Sequence, residues 1–176
     1  YRAQVAEAAV KSGAHIINDI SGGTMDVDMF NTIARLKVPY VLMHIQGTPQ
    51  TMQQNPVYNN VTHDILAFFN KKLNELNALG ISKIIIDPGF GFGKTIAHNY
   101  QLMNDLNQFV ACGLPVLVGV SRKSMIYKVL NNTPENALNG TTVLNTIALQ
   151  KGAKIVRVHD VKEAKEVVEL LNCFSR

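Results

Sequence analysis

IIIDPGFGFGKT, residues 84–95, is the segment from which the fold of this chain can be predicted. Three isoleucines lead to Asp87, and a proline and three alternating glycines follow before Lys94. The pattern predicts a buried β-strand that ends abruptly and presents one carboxylate at the edge of a sheet. The glycine-rich loop would let the backbone approach a flat ligand closely. A tight strand-to-helix turn with a purely structural role explains the same spacing.

The loop matches neither of the common nucleotide-binding patterns. The phosphate-binding pattern GxxxxGK[ST] requires glycine at the position of Pro88, and the dinucleotide pattern GxGxxG requires glycine at the position of Lys94. A ligand at this loop would therefore be recognised in another way.

Composition limits the classes of protein to which the chain can belong. Its 176 residues, 47% apolar and 17% charged, fit a single globular domain. A net charge of +4 slightly favours the binding of anionic small molecules. The chain has no run of basic residues interleaved with aromatic residues, so its sequence does not predict nucleic-acid binding. Two cysteines without a C-x-x-C motif, and no membrane-length apolar stretch, predict a cytoplasmic protein that binds neither zinc nor membranes.

Short apolar runs alternate with helical patterns along the chain, which predicts a parallel sheet covered on both faces. The predicted strands are residues 15–19, 40–44, 83–87, 116–120 and 155–159. The predicted helices are residues 2–12, 29–36, 61–76, 102–110, 138–149 (after a Thr133-Pro134 start signal) and 161–171. Residues 46–59 form a long polar loop of the kind that is often functional.

Every predicted strand ends in polar residues, which favours a (β/α)8 TIM barrel over a doubly wound sheet. A barrel has its site along the whole carboxyl rim, whereas a doubly wound sheet concentrates its site at one switch point. Five strands do not close a barrel, so we expect residues 1–176 to be one partial barrel domain that lacks the first three βα units.

The last two predicted strands end in GVSRKS, residues 119–124, and RVHD, residues 157–160. Alternation along a strand places Arg157 and His159 on the same side, so these two strand ends supply Lys123, Arg157 and His159 together. Guanidinium and ammonium donors suit a phosphate or pyrophosphate. Solvated loop charges are the alternative explanation.

Three further strand-end residues are candidates with structural alternatives. Asp87 offers two acceptor oxygens to a ligand edge with parallel N–H donors, such as a 2-amino-4-oxo-pyrimidine. Asn18 could bind the remaining ring heteroatoms or close an Asx turn, and its neighbour Asp19 could be a loop or capping acid. His44 could be a ligand-binding residue at the rim or a core histidine whose polar atoms are satisfied, and we favour the core histidine. Lys123 could instead be a Schiff-base lysine, as in barrel aldolases.

Taken together, six segments resemble the dihydropteroate synthase family, in the family's order and over nearly the whole chain. They are NDISGG (18–23), VLMHIQGTPQTMQ (41–53), IIIDPGFGFGKT (84–95), PVLVGVSRKS (115–124), GTT (140–142) and IVRVHDV (155–161). The resemblance implies a (β/α)8 barrel that joins 6-hydroxymethyl-7,8-dihydropterin pyrophosphate to para-aminobenzoate in folate biosynthesis. It also implies Mg²⁺ as cofactor, sulfonamides as inhibitors and a homodimer.

The resemblance assigns roles to nine residues by position. Asn18 and Asp87 would hold the pterin edge, Lys123 would bond a ring heteroatom, and Ile20 and Met43 would line the apolar faces of the pterin. Arg157 would stack on the pterin and bind pyrophosphate with His159, and Phe92, Ser121 and Lys123 would line the aminobenzoate pocket. The implied catalytic residues are Asp87, Lys123, Arg157 and His159, and no metal ligand is identified in this chain.

The expected chemistry needs no protein nucleophile. Departure of pyrophosphate leaves a cationic methylene conjugated to the pterin, and the arylamine attacks it. Because the first three βα units are absent, we expect the chain to be part of a longer synthase and, in isolation, neither to fold stably nor to turn over.

Three other functions compete with this one. They are a methyltetrahydrofolate methyltransferase-type barrel, a Schiff-base aldolase that uses Lys123, and a non-catalytic fragment that binds pterin or only assembles.

Overall fold

Five strands alternate with eight helices in the computed structural model, which describes residues 1–174. The strands are β1 (Ile17–Asp19), β2 (Tyr40–Met43), β3 (Ile84–Asp87), β4 (Leu117–Val118) and β5 (Ile155–Val156). The helices are α1 (Ala3–Lys11), α2 (Met29–Leu36), α3 (Val61–Ala78), α4 (Ile96–Asn104), α5 (Leu106–Val110), α6 (Ser124–Tyr127), α7 (Leu138–Gln150) and α8 (Val161–Phe174). Residues 175 and 176 of the predicted domain lie outside the described residues.

All five strands are parallel and follow one another in chain order. β2 pairs with β1 on one side and with β3 on the other, and β4 pairs with β5. A bridge between Ile86 and Val116 joins the two groups of strands. The predicted parallel α/β architecture is confirmed, but over residues 1–174 the strands form an open arc and the barrel is not closed.

The predicted burial of both sheet faces is clearest at β2, whose four residues are all buried. Tyr40, Leu42 and Met43 are fully buried there, in a strand that lies between two neighbours. The apolar stripe of α3 covers this part of the sheet with Ile65, Phe69 and other side chains that are fully buried. A strand with apolar side chains on both faces can be stable only in such a covered position.

Three local features differ from the sequence prediction: β5 ends at Val156 rather than at residue 159, one predicted helix is divided in two, and α6 is not predicted. The segment predicted as one helix over residues 102–110 is two helices, α4 and α5, which meet at Asp105. The carboxylate of Asp105 accepts a hydrogen bond from Thr62 Oγ at 2.8 Å. The Thr133-Pro134 signal lies in a turn before α7, which begins at Leu138 as predicted. The short helix α6 has no counterpart in the sequence prediction.

Candidate active site

The predicted site residues lie at the carboxyl ends of the strands, along one rim of the arc. A cavity of about 200 Å³ opens there, between the ends of β4 and β5. Its walls include five of the nine predicted site residues, namely Phe92, Ser121, Lys123, Arg157 and His159, together with Gly119 and Val158. The three residues of the predicted cationic cluster therefore line one cavity and are not separate charges on solvated loops.

Arg157 connects this cavity to two predicted residues that do not line it. Its Nη1 lies 3.2 Å from Oδ1 of Asn18, at the end of β1, and 2.9 Å from Oδ2 of Asp87, at the end of β3. Residues of β1 and β3 therefore meet the residue that directly follows β5. Gly119 leaves room for the guanidinium, because a Cβ atom at this position would lie 2.8 Å from Nη2 of Arg157.

Asp87 is fully buried and only half satisfied. Oδ1 accepts a hydrogen bond from the backbone N–H of Gly89 at 2.8 Å. Oδ2 has its ion pair with Arg157 but no partner in hydrogen-bonding geometry within residues 1–174. A buried carboxylate oxygen without a hydrogen bond is uncommon, because leaving it unpaired costs free energy. Such an oxygen, in contact with the cavity residue Arg157, is a natural acceptor for a ligand N–H.

Lys123 occupies the wall of the cavity between two loops. Its Nζ donates a hydrogen bond to the carbonyl of Phe90 and lies 4.7 Å from the centre of the Phe92 ring. Burial lowers the pKa of Lys123 to about 8, although the nearby charge of Asp87 opposes the shift. The side chain remains mainly cationic at neutral pH, close to an aromatic face.

Ser121 and His159 form a contact across the ends of β4 and β5. Oγ of Ser121 lies 2.9 Å from Nδ1 of His159 and accepts a hydrogen bond from the backbone N–H of His159 at 3.2 Å. The imidazole is exposed at the rim. Two predicted anion-binding groups are thus held side by side.

Lys94 is the residue whose role the sequence did not reveal. It is only 3% exposed, and its Nζ lies 3.1 Å from Nδ1 of His44 while donating to the carbonyls of Gly89 and Phe92, each at 2.9 Å. Burial lowers the pKa of Lys94 to about 7 and that of His44 to about 3. His44 is buried and its Nδ1 has a partner, as expected of a core histidine.

Asp19 is the structural acid of the NDISGG loop. Its carboxylate accepts hydrogen bonds from the backbone N–H groups of Ser21 and Gly23, from Ser21 Oγ and from the Tyr40 hydroxyl, at 2.7–2.9 Å. Burial and this acid raise the pKa of Tyr40. The buried carboxylate of Asp19 therefore holds the loop in place, and the neighbouring Asn18 remains exposed at the rim.

The two apolar residues assigned to the pterin faces are placed differently. Ile20 is half-buried beside Asn18, where a ligand could reach it. Met43 is fully buried at the end of β2, so a ligand could contact it only if the side chains that cover it move.

Three further observations concern metal ions, a second cavity and membrane-spanning helices. Residues 1–174 contain no group of three or more histidine, cysteine or acidic side chains placed to hold a metal ion. A larger cavity of about 340 Å³ lies at the opposite ends of the strands, between α2 and the segment that leads into β3, away from the polar rim. Across the described part of the chain, no helix is both long and apolar enough to cross a membrane.

Comparison with known proteins identifies consistent relatives. Residues 1–159 match the family described as pterin binding enzyme. The dihydropteroate synthase of Haemophilus influenzae is 45% identical over 96% of this chain and 62% of its own length, and that of Escherichia coli K12 is 42% identical over 96% and 60%. The chain therefore spans about three fifths of the length of these curated relatives.

Solved structures agree with the sequence relatives. The Yersinia pestis dihydropteroate synthase in complex with a sulfonamide drug superposes with a TM-score of 0.94 at 40% identity, over 98% of this chain and 64% of that one. The Thermus thermophilus dihydropteroate synthase gives a TM-score of 0.93 at 35% identity, over 99% and 70%. The arc described above has the same fold as the matched part of these enzymes.

Proposed function

The chain belongs to the pterin-binding enzyme family, and on this premise we propose that its protein is a dihydropteroate synthase. The reaction would join 6-hydroxymethyl-7,8-dihydropterin pyrophosphate to para-aminobenzoate and release pyrophosphate. The observation that carries the proposal is the meeting of Lys123, Arg157 and His159 at one cavity beside the buried carboxylate of Asp87. Anion donors beside an acceptor-only group suit a pyrophosphate ester of an N–H-bearing heterocycle.

The pterin would bind by its N–H edge to Asp87. The free acceptor capacity of Oδ2 matches a ligand N–H, while Gly89 holds Oδ1 in place. Because Arg157 contacts both Asp87 and Asn18, a pterin that binds these two residues would replace the guanidinium there. The released guanidinium is planar and could lie against the ring face while donating to the pyrophosphate.

The pyrophosphate would bind between the ends of β4 and β5. The contact of Ser121 with Nδ1 of His159 leaves Nε2 as the ring nitrogen available to an anion. Arg157 adds a charged donor that can bind two phosphate oxygens at once. These donors stabilise the negative charge that develops on the leaving group.

The arylamine would approach from the side of Phe92. The Phe92 ring offers a flat apolar wall, and Nζ of Lys123 above it offers a cation for the carboxylate of para-aminobenzoate. As the carbon–oxygen bond to pyrophosphate breaks, its electron pair leaves with the pyrophosphate and the methylene carbon becomes cationic. The amine nitrogen then forms the carbon–nitrogen bond and loses a proton to water, so no covalent enzyme intermediate is required.

Mg²⁺ and a homodimer remain proposals that rest on the family resemblance, and a cytoplasmic location remains a proposal that rests on cysteine content and composition. The described residues do not form a metal site by themselves, and no step above depends on a metal. Mg²⁺ often binds through substrate phosphates and one or two carboxylates, so dependence of turnover on added Mg²⁺ is the appropriate test.

The proposed function is tested by mixing both substrates with the full-length protein and measuring pyrophosphate release and dihydropteroate formation. We expect both products in equal amounts, inhibition by a sulfonamide that competes with para-aminobenzoate, and loss of turnover in Arg157→Ala. Arg35→Ala is the matched control, because Arg35 is 63% exposed on α2 and pairs only with groups remote from the cavity. Absence of product, or full activity of Arg157→Ala, would refute the proposal.

The same assay separates the competing functions. A methyltransferase-type barrel would bind a pterin without releasing pyrophosphate. An aldolase would trap a carbonyl substrate on Lys123 after borohydride reduction, yet Nζ of Lys123 already donates to the carbonyl of Phe90. A non-catalytic pterin binder would give neither product.

A further inference from the structure

Arg122 lies between two cavity residues, Ser121 and Lys123, but does not line the cavity. Its Nε and Nη2 donate to the two carboxylate oxygens of Asp160 at 2.9 and 2.7 Å. Its Nη1 donates to the carbonyls of Pro134 and Glu135 at 3.1 and 2.8 Å. All three guanidinium nitrogens are thus engaged, so Arg122 is not available to bind a substrate anion.

The backbone of Arg122 has a conformation that a non-glycine residue rarely adopts. Its φ is +55°, in the left-handed region, and its N–H donates to Oγ of Thr141 at 3.0 Å. The left-handed conformation costs free energy for a residue with a Cβ atom, and surrounding contacts must hold it. At Arg122 those contacts are the Thr141 hydrogen bond and the four donated by the guanidinium. They allow Ser121 and Lys123 to line the cavity while the side chain between them is engaged elsewhere.

Asp160 gives this ion pair its second anchor. It directly follows His159 in the loop after β5, whereas Arg122 directly follows Ser121 in the loop after β4. The pair therefore lies one residue beyond the Ser121–His159 contact on both loops. A two-point guanidinium–carboxylate pair fixes both the distance and the relative orientation of the groups it joins.

We propose that Arg122 and Asp160 are positioning residues that hold Ser121 and His159 in register for the pyrophosphate end of the substrate. Neither residue touches the substrate. Loss of the pair leaves each anion-binding side chain present but loosens the spacing of the two loops. The pterin edge, which rests on Asp87 in β3, is not affected. The inference rests on the proposed function for the identity of the anion.

The pair should be tested with Asp160→Asn, Arg122→Lys and Arg122→Gly in the full-length protein. Glycine adopts a positive φ without strain but cannot form the ion pair. Arg122→Gly therefore shows the effect of losing the pair without an added effect of backbone strain. Each variant should bind inorganic pyrophosphate about 10- to 100-fold more weakly and lose a similar factor in kcat/KM, because small displacements of donors have effects of this size. Binding of 6-hydroxymethylpterin, which has no pyrophosphate, should stay within about twofold of wild type.

The double variant Arg122→Gly/Asp160→Asn distinguishes the alternatives. A positioning pair predicts that the double variant is no worse than the more impaired single variant, because both changes break one interaction. Additive losses, or loss of pterin binding in parallel with pyrophosphate binding, would overturn the inference in favour of separate or merely structural roles. If the wild type itself does not bind pyrophosphate, the proposed function is refuted, and the positioning inference is refuted with it. If the wild type binds it and the variants bind equally well, only the positioning role fails.

Discussion

Nη1 of Arg157 lies 2.9 Å from Oδ2 of Asp87, so the guanidinium that follows the last strand contacts the carboxylate at the end of the third strand. Oδ2 of Asp87 has this ion pair but no hydrogen bond within residues 1–174, so its position as a hydrogen-bond acceptor is open. This arrangement leaves Oδ2 of Asp87 able to accept a hydrogen bond from a ligand N–H. The predictions below follow from this contact and from the loops that support it.

Replacing Asp87 by asparagine should weaken pterin binding by about 1–3 kcal/mol, because one of the two acceptors becomes an N–H donor that faces a ligand N–H. Calorimetric titration with 6-hydroxymethylpterin measures the loss. Glu75→Gln is a suitable control, since Glu75 is a partly exposed acid paired with Lys72 on α3. Unchanged affinity in Asp87→Asn would remove this residue from the pterin site.

Gly119→Ala should impair the site with little effect on stability. The added Cβ would lie 2.8 Å from Nη2 of Arg157, and the flexible guanidinium rather than the backbone would give way. We expect kcat/KM for the pterin pyrophosphate to fall about tenfold or more, with a thermal midpoint within a few degrees of wild type. In an Arg157→Ala background, Gly119→Ala should have almost no further effect on kcat/KM, because the guanidinium that the new Cβ would displace is absent. A full additional loss in that background would contradict the mechanism.

Gly89→Ala should instead destabilise the fold. Gly89 has φ +72°, and a Cβ there would overlap the carbonyl oxygen of His44, a backbone atom that cannot move aside. Gly80 is the matched control, because it has φ +74° with nothing within 4 Å of its Cβ position. In urea unfolding we expect Gly80→Ala to cost about 1 kcal/mol and Gly89→Ala at least about 2 kcal/mol more. Equal losses would mean that the two loops do not pack as described.

These contrasts show which parts of the site can be predicted from sequence. The strand that leads to Asp87 follows from its local pattern, and the carboxyl ends of parallel strands must share an edge. Strand alternation at Arg157 and His159 is not observed, because β5 ends at Val156 and both residues lie in the loop that follows it. The roles of Lys94 and Arg122 do not follow, because their partners are mostly backbone carbonyls or side chains 38 to 50 residues away. Full burial of Met43 depends on what packs over its strand end, which no local pattern encodes.

The buried pair of Lys94 and His44 should give stability a distinctive pH dependence. Burial lowers the pKa of Lys94 from 10.5 to about 7, so between these values the unfolded chain binds more protons than the folded one. Stability of the wild type should therefore rise with pH across this window, by up to about 1.4 kcal/mol per pH unit. For His44, lowered from 6.5 to about 3, the same sign predicts a loss of stability as pH falls through that range.

Lys94→Met isolates the lysine contribution, because methionine fills similar space without a titrating group. The variant should be less stable at every pH, since the carbonyls of Gly89 and Phe92 lose their donor. Its stability should lack the rise between pH 7 and 10, so the gap to the wild type should widen with pH in urea unfolding of the full-length proteins. The charge of Asp87 raises the pKa of Lys94 and that of Lys123 lowers it, and both residues remain in the variant. Parallel pH profiles for the two proteins would show that Lys94 keeps its ordinary pKa in the folded state, and the glycine-rich loop would then be held by a permanently charged ammonium group.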